Sequence, residues 1–380
     1  MIPQKIGFIG LGHIGGSIAK TIHRIYPGIE IIAFDTNKKT LDMAKEEGVI
    51  REGYLGITDA FSAPEAFYKV SQAFFDCNYI YLCAPVLYNG EFLPYLKELV
   101  DKNPDILITD VGSVKTGIHQ EASTHGLEAN FIGGHPMCGT EHSGYAHASA
   151  YMLENAYYII TPSSQISSLK LQEFVAFTDT LDAITMVLDY EEHDFMVGAI
   201  SHLPHVISAT LVNLVKNEDN EKETLRTIAA GGFKDITRIS SSSPVMWENI
   251  CRANKEPILK LIDTYIVSMK QIRDTIADEE SEDIYSFFEK AKDYRDTFSN
   301  AVAGPLGQTF HMFVDINDEA GGIATVTTIL STHNINIKNI GITHNREFQN
   351  GALSLEFYTF SALKQAVELL QKYHYTVYEK

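Results

Sequence analysis

Residues 131–144, FIGGHPMCGTEHSG, set a histidine, His135, between a glycine pair and a proline, with a carboxylate, Glu141, six residues on. A neutral imidazole accepts a proton or a hydrogen bond, and glycine and proline around it restrict where the ring points. Such a group suits the presentation of a base to a small molecule, with the glycines allowing close approach of a ligand. A tight turn at a strand end with a solvated histidine would look the same. Cys138 lies in this stretch, but no neighbour clearly lowers its thiol pKa, so a nucleophilic role is not expected.

A second pattern could hold a cofactor. Gly10, Gly12 and Gly15 stand in GxGxxG spacing, with Leu11, His13 and Ile14 between them and Asp35 about 20 residues beyond the third glycine. KIGFI ahead of the glycines reads as a buried strand, GLGHIGGSIAKTIHRI as a turn into a helix, and IEIIAFD as a second strand. The first glycine allows the turn, the second lets the backbone approach a pyrophosphate, and the third lets helix and strand pack. The helix N-terminus adds the positive end of a dipole. Asp35 would accept from the adenine-ribose hydroxyls and repel an added phosphate, which favours NAD over NADP, although Lys38 and Lys39 follow closely.

The surrounding elements must position both patterns. YIYLCAP and ILITD suit buried parallel strands, FIGG and YYIITP supply further ones, and ligands of such sheets lie beyond the carboxyl ends of the strands. His135 emerges there, and Cys83, Ala84 and Pro85, at the end of YIYLCAP, are expected to contact the cofactor. Ser113, in VGSVKTG, falls where a helix N-cap is expected. After AITMVLD the strand signals stop, and helices run to about residue 298. DFMVGAISHLPHVISATLVNLV is too apolar for a surface helix, so burial within a helical domain or against a second subunit is expected. SNAVAGPLGQ, 299–308, reads as a linker, and the remainder alternates as βαββαβ, the ferredoxin-like plan, with Ser361 as the cap of its second helix. The expected class is α/β: a Rossmann-type doubly wound sheet over 1–188, an all-α helical domain over 189–298, and a βαββαβ domain over 309–380.

Composition narrows the function. A chain of 380 residues suits two or three domains, and 45% hydrophobic residues suffice for several cores. The net charge of −19, without a basic face, argues against nucleic acid and anionic membranes. Cys77, Cys83, Cys138 and Cys251 show no CxxC or zinc spacing, and His202 with His205 lacks a third ligand, so free thiols and no metal are expected. No run of about 18 uncharged apolar residues stands out, and MIPQKIGFIGLG leads directly into the glycine turn, so a soluble cytoplasmic protein is expected.

Taken together, GLGHIGGSIA, DVGSVK (110–115), GGHPMCGTEHSG (133–144), SHLPH (201–205) and GGFKDITRI (231–239) followed by PVMW resemble the bacterial prephenate dehydrogenases that carry a C-terminal ACT domain. The likeness covers nearly the whole chain. It implies NAD-dependent oxidation of prephenate to 4-hydroxyphenylpyruvate with loss of carbon dioxide, a step in tyrosine biosynthesis. It further implies that His135 accepts from the ring hydroxyl, that Ser113 adds a second hydrogen bond there, and that Arg238 takes a substrate carboxylate. His205 would line the pocket, Glu141 would gate or order it, and Asp235 and Lys234 would support the arginine loop. By residue type alone, a core position competes for His205 and a structural ion pair for Arg238, while Trp247 suits helix packing rather than a substrate wall.

An ACT domain commonly binds an amino acid between two copies, at the loop joining its first strand and helix. Here that loop holds Asp318, Ala320, Gly321, Gly322 and Ile323, with Asn334 and Asn336 before the next strand. The expected effector is tyrosine, acting as a feedback inhibitor, and the expected assembly is a homodimer. Competing expectations are the same chemistry on arogenate, a related hydroxy-acid dehydrogenase, and a catalytically silent NAD-binding amino-acid sensor.

Overall fold

The computed structural model describes residues 2–56, 62–139, 143–301, 310–317, 319–343 and 350–379. The chain divides into two compact units, Met1–Ser268 and Met269–Lys380.

The first unit is built on strands β1 (Lys5–Ile9), β2 (Glu30–Asp35), β3 (Glu52–Leu55), β4 (Tyr79–Leu82), β5 (Leu107–Asp110), β6 (Phe131–Pro136), β7 (Tyr157–Pro162) and β8 (Ile184–Val187). They form one sheet in the order β3-β2-β1-β4-β5-β6-β7-β8. The first six pair in parallel, β7 runs antiparallel to β6, and β8 is parallel to β7. The order reverses beside β1, which opens a crevice at the carboxyl ends of β1 and β4.

Helices α1 (His13–Ile25), α2 (Lys38–Glu46), α3 (Ala63–Val70), α4 (Leu93–Lys102), α5 (Thr116–Thr124) and α6 (Ser168–Asp179) accompany these strands. Two cores result. Ile6, Phe8, Tyr79 and Tyr81 join one, whereas Ile9, Ile80 and Leu82 join the other. Strands buried on both faces explain why KIGFI and YIYL read as continuous apolar runs. The strand absent from the sequence reading is β3: EGYL is short, lies at the sheet edge and exposes its ends, so it carries no apolar run.

The rest of the first unit is helical: α7 (Tyr190–Val197), a π-helical turn (Gly198–His202), α8 (Leu203–Glu218), α9 (Thr224–Ile228), α10 (Gly231–Thr237), α11 (Pro244–Ala253) and α12 (Lys255–Ala277), which runs on into the second unit. Pro204 lacks the N–H that an unbroken α-helix would bond to Ile200, and the wide turn falls just before it. Burial of this segment is only partial within one chain. Val197, His202 and Ser208 are buried, but Ile200 is 69% and Leu214 55% exposed, so the apolar face lies open. The sequence reading found no apolar run of spanning length, whereas Tyr190–Glu218 is long and apolar enough to cross a bilayer. Its buried Asp194 nevertheless bonds to the backbone at the start of α5, as a core helix would.

The second unit contains α13 (Ser281–Ala301), β9 (Phe310–Asn317), α14 (Gly322–Thr332), β10 (Asn339–Thr343), β11 (Asn350–Phe357), α15 (Phe360–Lys372) and β12 (Val377–Glu379). Its sheet, β10-β11-β9-β12, is antiparallel throughout and covers a core of Met312, Val314, Leu330, Leu355 and Leu370. Residues 299–301 of the expected linker continue α13, and 302–308 lie outside the described residues. The cap of α15 is Thr359, whose hydroxyl accepts from the Ala362 N–H; Ser361 sits one residue inside the helix.

Candidate active site

At the start of α1, Gly10 has φ 91°, and a Cβ there would lie 2.8 Å from the Cys83 carbonyl carbon. A Cβ on Gly15 would lie 2.8 Å from the Gly10 oxygen, whereas one on Gly12 would meet nothing within 4 Å. No side chain caps α1 at Gly12, so the N–H groups of its first turn face the open space by that glycine. Asp35 ends β2 and draws the turn tight, accepting from the Leu11 N–H at 2.6 Å and the Asn37 N–H at 2.7 Å. A cavity of about 410 Å³ is lined by Gly10, Gly12, Asp35, Cys83, Ala84 and Pro85 among others. The Leu11 side chain is in the core, so that residue offers the cavity only backbone. His13 and Ile14 open α1, with Ile14 packed on the edge of the same core.

His135 is the fifth residue of β6, and the glycines before it are strand residues, not a turn. A Cβ on Gly133 would collide with the Thr161 hydroxyl, and one on Gly134 would lie 2.7 Å from the Asp110 carbonyl oxygen and 2.9 Å from the Tyr158 hydroxyl. The pair therefore admits neighbouring protein groups, correcting the expectation that it serves ligand approach. Beyond His135 the chain reaches the cofactor turn: Cys138 packs on the core that holds Ile14 and Cys83. Burial pushes the Cys138 thiol up to about 11, leaving it a protonated, inert group. Glu141 lies outside the described residues.

Around His135 a connected polar cluster has formed. Its Nδ1 is 2.8 Å from His193 Nε2, and His193 Nδ1 is 2.8 Å from Asp194 Oδ1. Burial, reinforced by His193, Lys115 and His202, holds His135 well below the ordinary imidazole range, so it is neutral. Burial would raise the Asp194 carboxyl, but hydrogen bonds from His193, Thr116 and Lys115 outweigh it and keep the group ionised. Beneath them, Lys115 is fully buried in an ion pair with Asp110 and donates to the Gly134 carbonyl at 2.6 Å. The loop carrying Ser113 ends here. Ser113 is not the cap of α5, which begins at Thr116; the Lys115 and Thr116 N–H groups instead donate to Asp194 at 2.7 Å each.

The cluster continues into the helical part. His202 Nδ1 lies 2.9 Å from Asn254 Nδ2, which also donates to the Asp194 carbonyl, and burial lowers His202 to about 4. His205 stacks on Trp247 with ring centroids 3.8 Å apart, and both line a cavity of about 530 Å³. Burial lowers His205, and the positive charge of Arg238 lowers it further. Arg238 is exposed at the start of the 3₁₀ turn Arg238–Ser241, and among the described residues it has no ion-pair partner. Lys234 and Asp235 are exposed on α10.

Sequence reading singled out none of His193, Asp194, Asp110, Lys115 or Asn254 for the site. Two of them stood inside the DVGSVK motif, and the adjacent pair in EEHDF was the only local hint of the others.

An open glycine turn on an uncapped helix, an acidic residue at the end of β2 and a neutral histidine at the end of β6 define a dinucleotide-dependent dehydrogenase. Residues 18–187 match the family described as prephenate dehydrogenase, nucleotide-binding domain, and residues 189–290 match prephenate dehydrogenase, dimerization domain. The chain belongs to the prephenate dehydrogenase family and is an NAD-dependent oxidoreductase. It is 34% identical to the prephenate dehydrogenase of Bacillus subtilis (strain 168), over 97% of this chain and 96% of that one. It is 32% identical to that of Lactococcus lactis subsp. cremoris, over 97% and 98%. Among solved structures, prephenate dehydrogenase from A. aeolicus in complex with hydroxyphenyl propionate and NAD+ superposes with a TM-score of 0.70 at 28% identity, covering 78% of this chain and 99% of that one.

Proposed function

We propose that this chain is a cytoplasmic enzyme that oxidises prephenate to 4-hydroxyphenylpyruvate and carbon dioxide in tyrosine biosynthesis. Gly10, Gly12 and Asp35 would hold NAD at the glycine turn, where it would supply the acceptor for the hydride of the ring carbon that bears the hydroxyl. His135 accepts the hydroxyl proton, with Ser113 as a second partner of that hydroxyl. As the ring carboxylate leaves, the ring becomes aromatic, and the proton held by His135 is available to the phenolate. Arg238 holds a substrate carboxylate in a bidentate contact that lysine would make poorly, and His205 lines the pocket. Lys234 and Asp235 support the arginine turn, and Glu141 gates or orders the pocket.

The observation that carries this function is the neutral His135 at the carboxyl end of β6, on the same edge of the parallel strands as the cofactor turn that follows β1. A base must be unprotonated to accept, and burial keeps it so. The test is NADH formation from NAD and prephenate, with arogenate and NADP in parallel. His135→Asn should retain NAD binding and lose turnover by roughly 10²- to 10⁴-fold, the usual range for a general base. An undiminished rate would remove His135 from the chemistry.

In this proposal, residues 1–188 bind NAD, 189–298 form a substrate and dimerisation domain, 299–308 link, and 309–380 form an ACT domain that binds tyrosine as a feedback inhibitor. The antiparallel βαββαβ unit supports the last assignment. So does Gly321, whose φ of 96° at the start of α14 favours glycine. Ala320, Gly322, Ile323, Asn334 and Asn336 would line the effector site, and Asp318 lies outside the described residues. The open apolar face of α8 suits a second copy in a homodimer. Calorimetric titration with tyrosine, showing heat of binding and a matching fall in turnover, checks the regulatory half; no binding would refute it.

A further inference from the structure

Hydrogen-bond direction through the His135 cluster has one fixed end. Asp194 is ionised and can only accept, so the nitrogen facing it, His193 Nδ1, must carry a proton. The other ring nitrogen, Nε2, lies 2.8 Å from His135 Nδ1 and can accept there through its lone pair. That contact is a hydrogen bond only if His135 donates. The proton of a neutral His135 is thus placed on Nδ1, and Nε2 is the nitrogen left to accept.

We propose that His193 and Asp194 are positioning residues for His135, fixing both its ring orientation and the tautomer that presents Nε2 as acceptor. The inference rests on His135 being the acceptor and names what makes it one. Four observations favour the pair over incidental packing. His193 and Asp194 are 0% and 1% exposed, so neither is solvated in place of its partner. Asp194 also takes the Lys115 and Thr116 N–H groups, which pins its carboxylate against rotation and ties the loop carrying Ser113 to the same anion. The Asn254 amide N–H donates to the Asp194 carbonyl, holding the α7 backbone from the other side. Finally, the adjacent cation, Lys115, is committed to Asp110 and Gly134, so it does not compete for His135. The charged and titratable groups facing the ring are then Lys115 from the loop before α5, His193 from α7 with Asp194 behind it, and His202 from the π-helical turn.

When His135 takes up a proton, the resulting imidazolium is bonded through His193 to a carboxylate already in place. The same pair that sets the tautomer therefore stabilises the charge that forms.

Two measurements test this on the full chain. In 15N-histidine-labelled wild type, with the His135 signals identified by their loss in His135→Asn, Nδ1 should be the protonated nitrogen and Nε2 the free one. Protonation at Nε2 overturns the proposal, whatever the substrate turns out to be. In kinetics with prephenate, His193→Leu should lower kcat on the order of 10²-fold while leaving the KM for NAD unchanged. His193→Gln, whose side-chain oxygen can still accept from His135 Nδ1, should recover about tenfold of that loss, the worth of one neutral hydrogen bond. Equal rates in the two variants, or no loss in either, overturn it. A wild type inert towards prephenate would refute the substrate assignment and leave the spectrum to decide the tautomer.

Discussion

At Gly134 an added methyl group would press on the Asp110 carbonyl and the Tyr158 hydroxyl, whereas at Gly12, where φ is −74°, it would enter open space. The two glycines therefore separate fold from function. Gly134→Ala should lower stability by about 1–3 kcal/mol, the usual cost of overfilling a packed interior, and thermal melts should show it. Gly12→Ala should leave the melt nearly unchanged and weaken NAD binding. A melt lowered equally by both would mean that Gly12 is structural. The same contrast shows what was legible in the residues. The glycine spacing, Asp35 and His135 were visible because they sit in short motifs at strand ends. His193 was not, since it meets His135 across 58 residues of chain, and Asp194 meets Lys115 across 79. No periodicity encodes such contacts; only the docking of α7 against β6 and α5 creates them.

Helix starts tell a similar story at the next scale. Thr359 begins α15 with a hydroxyl on the Ala362 N–H, two residues before the Ser361 that the sequence pointed to. Thr359→Ala should cost about 1 kcal/mol in the unfolding of the second unit, and Ser361→Ala close to nothing. The reverse order would return the cap to Ser361. By contrast, α5 takes its cap from a carboxylate on another element, which no local rule locates. Strands buried on both faces announce themselves by continuous apolar runs and amphipathic helices by period, which made most elements legible. The short edge strand β3 has no period to show, and the π-helical turn before Pro204 needs the actual backbone.

The whole molecule carries a cluster of buried neutral histidines, with consequences for acid stability. His119 is held at about 3, mainly by burial, and His202 at about 4, against an ordinary 6.5. Below pH 6.5 the unfolded chain takes up these protons before the folded one does. Stability is therefore full above that pH and is lost as pH falls towards 4 and then 3, with His135 and His205 shifted in the same direction. Asp194 acts lower, its contribution disappearing only as pH drops through a folded value below 3.8. The free energy of unfolding should thus decline between about pH 6.5 and 5, by about 1–2 kcal/mol for each such buried histidine. A flat profile across that window would mean that the folded chain accepts these protons freely. The passage from the nucleotide-binding part to the helical part near residue 188 was legible at this scale from the end of the strand signals. The open face of α8 was not, because an apolar helix reads alike whether its cover is the same chain or another.

Trp247 is the only tryptophan in the chain, and it lies flat against His205 at the rim of a cavity. Intrinsic fluorescence excited at the red edge of indole absorption therefore comes from one spot in the molecule. A protonated imidazole in contact with an excited indole drains its emission. The protein thus carries a built-in optical reporter, dimming as His205 gains charge and responding to whatever enters beside it, with no label attached.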